Sequence, residues 1–162
     1  MKLVLTIQVL GILLFNTEAK EGFRTVKAGS KTFYVSNDKR DWFRAQAECQ
    51  IRNLVIATIK SKDETDALYR TACSSRDYMW IGGYKYYGNW HWISTGELLK
   101  YTNWDKGEPN NKGGKENALE VRCKTRGGWN DKDPSAKRFY VCQNKDVDKR
   151  QSEPLESAPE IL

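Results

Sequence analysis

Trp104-Asp105-Lys106-Gly107-Glu108-Pro109-Asn110 is the most informative stretch of this 162-residue chain. Glu116 follows eight residues after Glu108, and Trp129-Asn130-Asp131 completes the series. Glu108, Glu116 and Asp131 carry carboxylates; Asn110 and Asn130 carry carboxamides. All are hard oxygen donors of the kind that Ca²⁺ gathers into a shell of about 6–8 oxygens. Three carboxylates gathered without a cation would repel one another. The spacing is not that of an EF-hand loop, so any site must assemble from separate loops. The segment from Asn103 to Lys115 is rich in Gly, Asn and Lys and reads as one long loop. A long loop inside a compact domain is often functional.

Outward from this loop, the elements are coarse but readable. Thr32-Phe33-Tyr34-Val35 is β-branched and aromatic, which predicts an early strand. Asp41 is placed to cap a helix running to about Arg52, with Trp42, Ala45 and Cys49 on one buried face. Leu54 to Ile59 is a second apolar run. Ser61-Lys62-Asp63-Glu64 has the capping-box pattern, so a second helix burying Leu68 and Ala72 should follow. Short strands are expected at Tyr78–Ile81, His91–Ile93, Leu119–Cys123 and Phe139–Cys142. Two helices followed by strands indicate an α+β domain. No internal repeat is present.

Composition narrows the function. Aromatics make up 12% of the chain, with six Trp, enough to build a core. The single histidine, His91, excludes designs that need two, including the His-Glu-x-x-His zinc proteases. No Gly-rich phosphate loop and no Gly-x-Ser-x-Gly elbow occurs. This favours a binding module over an enzyme. The net charge of +6 comes with no recognition helix or stacking motif, so nucleic acid is not an expected partner.

The ends read differently from the middle. Leu3 to Phe15 is almost wholly apolar after Met1-Lys2, and Thr17-Glu18-Ala19 supplies small residues. Residues 1–19 therefore read as a secretory signal peptide, too short to span a bilayer that needs about 20 apolar residues. The mature protein is expected to be soluble and extracellular, with no membrane insertion. Residues 146–162 carry Pro154, Pro159, Glu153, Glu156 and Glu160 and read as a disordered acidic tail. The domain between them covers 20–145. In an oxidising compartment, Cys49, Cys73, Cys123 and Cys142 read as disulfides with three connectivities open, and no Cys-x-x-Cys pair suggests zinc.

Taken together, these motifs resemble the C-type lectin-like domain family. The matching residues are Trp80-Ile81-Gly82-Gly83 (a variant of the family's Trp-Ile-Gly-Leu motif, with Gly83 in place of leucine), Trp92-x-Ser94-x-Gly96, Tyr101-x-Asn103-Trp104, Glu108-Pro109-Asn110 and Trp129-Asn130-Asp131, over about Gly22 to Asn144. The resemblance implies two helices with antiparallel sheets and a long Ca²⁺-binding loop. It implies one Ca²⁺ held by Glu108, Asn110, Glu116, Asn130 and Asp131. Glu108, Asn110, Glu116 and Asn130 would also hold two vicinal sugar hydroxyls, and the Glu108–Pro109 bond would be cis. In the family, Glu-Pro-Asn goes with mannose-type sugars and Gln-Pro-Asp with galactose. The implied partners are glycans of glycoproteins or microbial surfaces. A Ca²⁺-independent protein-interaction module and galactose-type specificity are the alternatives.

The departures from the family pattern are specific. The usual inner disulfide is missing, because Ala118 and Pro134 stand at its positions. The resemblance places Cys49 with Cys142. Cys73 then pairs with Cys123, or one of these two joins a second chain. The stretch Tyr84-Lys85-Tyr86-Tyr87-Gly88-Asn89 lacks the carboxylates of an auxiliary ion site, and Asn111 replaces a usual acid, so one ion is expected. Lys106, Lys112 and Lys115 surround the loop, either offsetting its carboxylates or steering anionic glycans. Most tryptophans should be core, Trp129 among them, beneath the loop. A single site binds weakly, and a noncovalent or cysteine-mediated dimer is the remaining route to avidity.

Overall fold

Phe33, Tyr34, Val35 and Ser36 are all buried, which requires a strand covered on both faces. The computed structural model describes residues 22–145. The signal peptide and the acidic tail expected at the two ends lie outside these residues. The strands are β1 (Phe23–Ala28), β2 (Lys31–Ser36), β3 (Leu54–Ile56), β4 (Tyr78–Tyr86), β5 (Asn89–Trp92), β6 (Ala118–Arg122), β7 (Gly128–Lys132) and β8 (Phe139–Asn144). The helices are α1 (Trp42–Ile51) and α2 (Lys62–Ala72). The main path of the sheet is β1-β2-β8-β4-β6-β7, with β3 added on β8 and β5 on β4. Among the described strands, only β4 and β8 pair in parallel; an isolated bridge between Trp104 and Trp129 is parallel as well.

Both helix starts follow from their caps. The Asp41 carboxylate accepts the Arg44 N–H at 2.9 Å, and Trp42, Ala45 and Cys49 are buried on the expected face. The Ser61 hydroxyl accepts the Glu64 N–H at 3.3 Å. Glu64 returns its carboxylate to the Lys60 N–H at 2.7 Å, one residue earlier than a reciprocal box would place it. α2 buries Leu68 and Ala72 and ends at Cys73, which is joined to Cys123. Cys49 on α1 is joined to Cys142 on β8. Both pairings agree with the expected intramolecular arrangement, and no free cysteine remains among the described residues.

Two apolar clusters fill the interior. One holds Phe33, Val35, Leu68, Ile81, Leu119 and Trp129; the other holds Trp42, Leu54, Trp80 and Tyr140. Gly83 stands where the family motif has leucine, and the reason is steric. A Cβ at this position would lie 2.8 Å from the Leu119 Cβ, so β4 and β6 could not approach as they do.

Several elements differ from the sequence reading. β4 continues past Ile81 to Tyr86, because β5 and β6 pair with its second half. Only the first part of the Leu54–Ile59 run forms a strand; Ala57 and Ile59 continue as buried irregular chain. Cys123 lies just after β6, in a short 3₁₀ turn. β1 and β7 are additional strands.

Candidate functional site

The β6–β7 hairpin sets the floor of the site. Its antiparallel register places Leu119 opposite Asp131, Glu120 opposite Asn130 and Ala118 opposite Lys132. Trp129 is fully buried, with its ring edge-on to Trp92, Tyr101 and Trp104. The start of the long loop runs along β7 and joins it by an isolated bridge between Trp104 and Trp129. The Trp129 N–H donates to the Asn103 carbonyl at 2.7 Å, and the Asp105 N–H donates to the Trp129 carbonyl at 2.8 Å. The expectation that Trp129 packs beneath the loop therefore holds.

Asp131 clamps the loop tip. Its two carboxylate oxygens accept the Asn110 N–H at 3.0 Å and the Asn111 N–H at 2.8 Å. The Glu108–Pro109 peptide just before them is cis, as expected. Asn111 takes a left-handed conformation, φ 46°, which asparagine tolerates, and its side chain accepts the Glu116 N–H at 3.1 Å. The Lys112 N–H reaches both the Asn110 Oδ1 at 2.9 Å and the Glu116 carboxylate at 2.8 Å. Glu108, Asn110, Glu116 and Asp131 are thus brought to one loop tip.

The carboxylates differ in how they are satisfied. Both oxygens of Glu116 are taken, one by Lys112 and the other by the Lys132 ammonium at 2.8 Å. The Glu108 side chain is buried, with one oxygen 3.2 Å from Arg122. Its second oxygen, Oε2, is buried without any hydrogen-bond partner. Burial pushes the Glu108 carboxyl above its ordinary range; Arg122 opposes the shift, while Asp131 and Glu116 reinforce it. Asn130 is buried beside Asp131, and its amide N–H donates to Glu120 at 2.8 Å. No hydrogen bond from a described residue reaches its Oδ1.

This donor set fits a hard cation. An orphaned carboxylate oxygen of Glu108 lies among other acids, and the amide oxygen of Asn130, next to Asp131 in β7, is left open. Among the described residues, however, no three acidic, histidine or cysteine side chains already converge on one point. Lys132 and Arg122 supply the positive charge instead, and Lys132 must leave Glu116 before that carboxylate can serve an ion. Sequence reasoning missed Arg122, Lys132 and Glu120. Each looks like an ordinary strand residue, and only the hairpin register brings them to the site. Lys106, Lys112 and Lys115 are exposed around the loop, and Tyr86 and Tyr87 are exposed at the β4–β5 tip.

The Lectin C-type domain model matches residues 38–144, and the chain belongs to this family of non-enzymatic, carbohydrate-binding domains. It is 36% identical to E-selectin of Sus scrofa over 121 residues, 72% of this chain and 25% of that protein. It is 37% identical to L-selectin of Bos taurus over 105 residues, 62% of this chain and 28% of that protein. The chain thus spans only 25% and 28% of the length of these two relatives. Among solved structures, it is similar to the cow C-type carbohydrate-recognition domain of CD23, determined in the presence of GlcNAc2Man3 oligosaccharide. That likeness has a TM-score of 0.66 at 26% identity and covers 78% of this chain and 95% of the other.

Proposed function

We propose that this chain is a secreted lectin that binds mannose-type sugars through one Ca²⁺ held by Glu108, Asn110, Glu116, Asn130 and Asp131. The observation that carries this reading is the buried, partnerless Oε2 of Glu108, set against Asp131 and Glu116. An acid so placed is costly unless a cation completes it. The ion, when bound, supplies open coordination positions for a pair of vicinal hydroxyls. Glu108 and Glu116 accept hydrogen bonds from those hydroxyls, and the Asn110 and Asn130 amides donate to them. Asp131 holds the loop backbone in place through the Asn110 and Asn111 N–H groups. Trp129 supports the loop from below and keeps water out of its base. Two disulfides suit an extracellular setting, and no described helix is long and apolar enough to cross a membrane.

A second reading is favoured by the ion pairs Lys132–Glu116 and Arg122–Glu108, which neutralise the acids without metal. On this reading the domain binds a protein partner independently of Ca²⁺.

Retention on immobilised mannose and galactose, with Ca²⁺ and then EDTA, separates the readings. Ca²⁺-dependent retention on mannose is expected, and Asn110→Asp should lose or shift it. Retention on galactose alone overturns the sugar assignment and keeps the metal. Retention on neither, with no effect of Ca²⁺, favours the second reading.

A further inference from the structure

We propose that Glu120 is the positioning residue of the site, turning the Asn130 carboxamide so that its oxygen is offered to the ion. This rests on the reading of Asn130 as an ion ligand. Glu120 stands opposite Asn130 in the β6–β7 register, and both are almost fully buried, at 1% and 2% exposure. A carboxylate buried this deeply must be fully paired. The Arg138 Nε donates to Oε2 of Glu120 at 2.6 Å, and the Asn130 Nδ2 donates to Oε1 at 2.8 Å. Arg138 is itself held over the rings of Tyr78 and Trp80, at 4.7 and 5.9 Å from their centroids.

The consequence is directional. A carboxamide has a donor end and an acceptor end, and a carboxylate can only accept. The flipped amide would set its oxygen against the Glu120 carboxylate, acceptor to acceptor, inside a dry site. Glu120 therefore fixes the Asn130 N–H inward and leaves Oδ1, which no described residue engages, as the outward end. Nδ2 keeps a second hydrogen for a ligand hydroxyl. Without Glu120 the amide is free to turn its N–H outward, an end that no cation can use. Outer partners of this kind change metal affinity by about 10–100-fold.

The test uses the full chain and Ca²⁺ alone. Calorimetric Ca²⁺ affinity is measured for the wild type, Glu120→Ala, Asn130→Ala and the double variant, with EDTA melts confirming folding. We expect Glu120→Ala to weaken binding about tenfold in the wild-type background and to do nothing further in the Asn130→Ala background. Equal losses in both backgrounds mean a purely structural role and overturn the proposal. Ca²⁺ binding by the wild type with an unaffected Glu120→Ala also overturns it, while leaving the proposed function standing. No Ca²⁺ binding by the wild type removes both. If Glu120→Ala does not fold, NMR of the Ca²⁺-free wild type decides. One Asn130 side-chain amide proton should exchange slowly with solvent, and fast exchange of both overturns the proposal.

Discussion

Removing the Cys73–Cys123 bridge should destabilise the domain far more than an ordinary surface change. The bridge ties the end of α2 to the turn that follows β6, and so fixes the hairpin that carries Asn130 and Asp131. Its cysteines are separated by 50 positions. Chain-entropy loss for a loop of that size stabilises by about 4 kcal/mol at 25 °C. An ordered unit of about 120 residues has an unfolding entropy near 0.25 kcal/mol/K, so this loss corresponds to a fall of about 15 °C in Tm. The double variant Cys73→Ala, Cys123→Ala, compared with wild type by calorimetry in EDTA, should show that fall. A shift of a degree or two, or detection of free thiols in the folded wild type, refutes the reasoning. Because the Asp131 carboxylate clamps the loop tip by accepting the Asn110 and Asn111 backbone N–H groups, the variant should still bind Ca²⁺ well below its melting point.

Three further outcomes follow from individual contacts. Lys132→Ala frees Glu116 of its tethered ammonium, so Ca²⁺ should bind several-fold more tightly in calorimetry; weaker binding would make Lys132 a support for the site rather than a competitor. For Glu108, burial favours the protonated carboxyl, so its stability contribution in the metal-free protein is present below the ordinary carboxylate range and is lost as pH rises through the raised pKa. EDTA melts across pH should therefore show the wild type gaining on Glu108→Gln as pH falls, and a pH-independent difference would contradict the assigned environment. Asp41→Ala removes the α1 cap and the Lys137 pair, and should cost about 1 kcal/mol in urea unfolding; no change would mean that the Trp42 anchor alone sets the helix start.

The legible parts of the fold were those with strong local chemistry. Asp41 and Ser61 announce both helices, and the Trp42, Ala45, Cys49 spacing marks the buried face. β1 gave no such signal, because Val26 is its only buried residue and the strand reads as polar. β7 was hidden for another reason. Gly128-Trp129-Asn130-Asp131-Lys132 contains no β-branched residue and reads as a turn; pairing with β6 and burial of Trp129 make it a strand. At the site, the oxygen donors were legible as an ordered set of hard ligands. Their partners were not. Lys132 meets Glu116, and Arg138 meets Glu120, across strand pairings that local periodicity does not encode. The glycine at position 83 was visible as a departure, but its cause, the Leu119 Cβ, lies on another strand.

Calorimetric titration of the EDTA-treated, dialysed protein with Ca²⁺ tests the central claim most directly. One ion per chain is expected, with a Tm that rises with Ca²⁺ concentration and loss of both on Glu116→Gln or Asp131→Asn. No heat of binding and no Tm shift up to about 10 mM Ca²⁺, beyond the about 10⁻⁴–10⁻³ M range of extracellular Ca²⁺ sites, would contradict it.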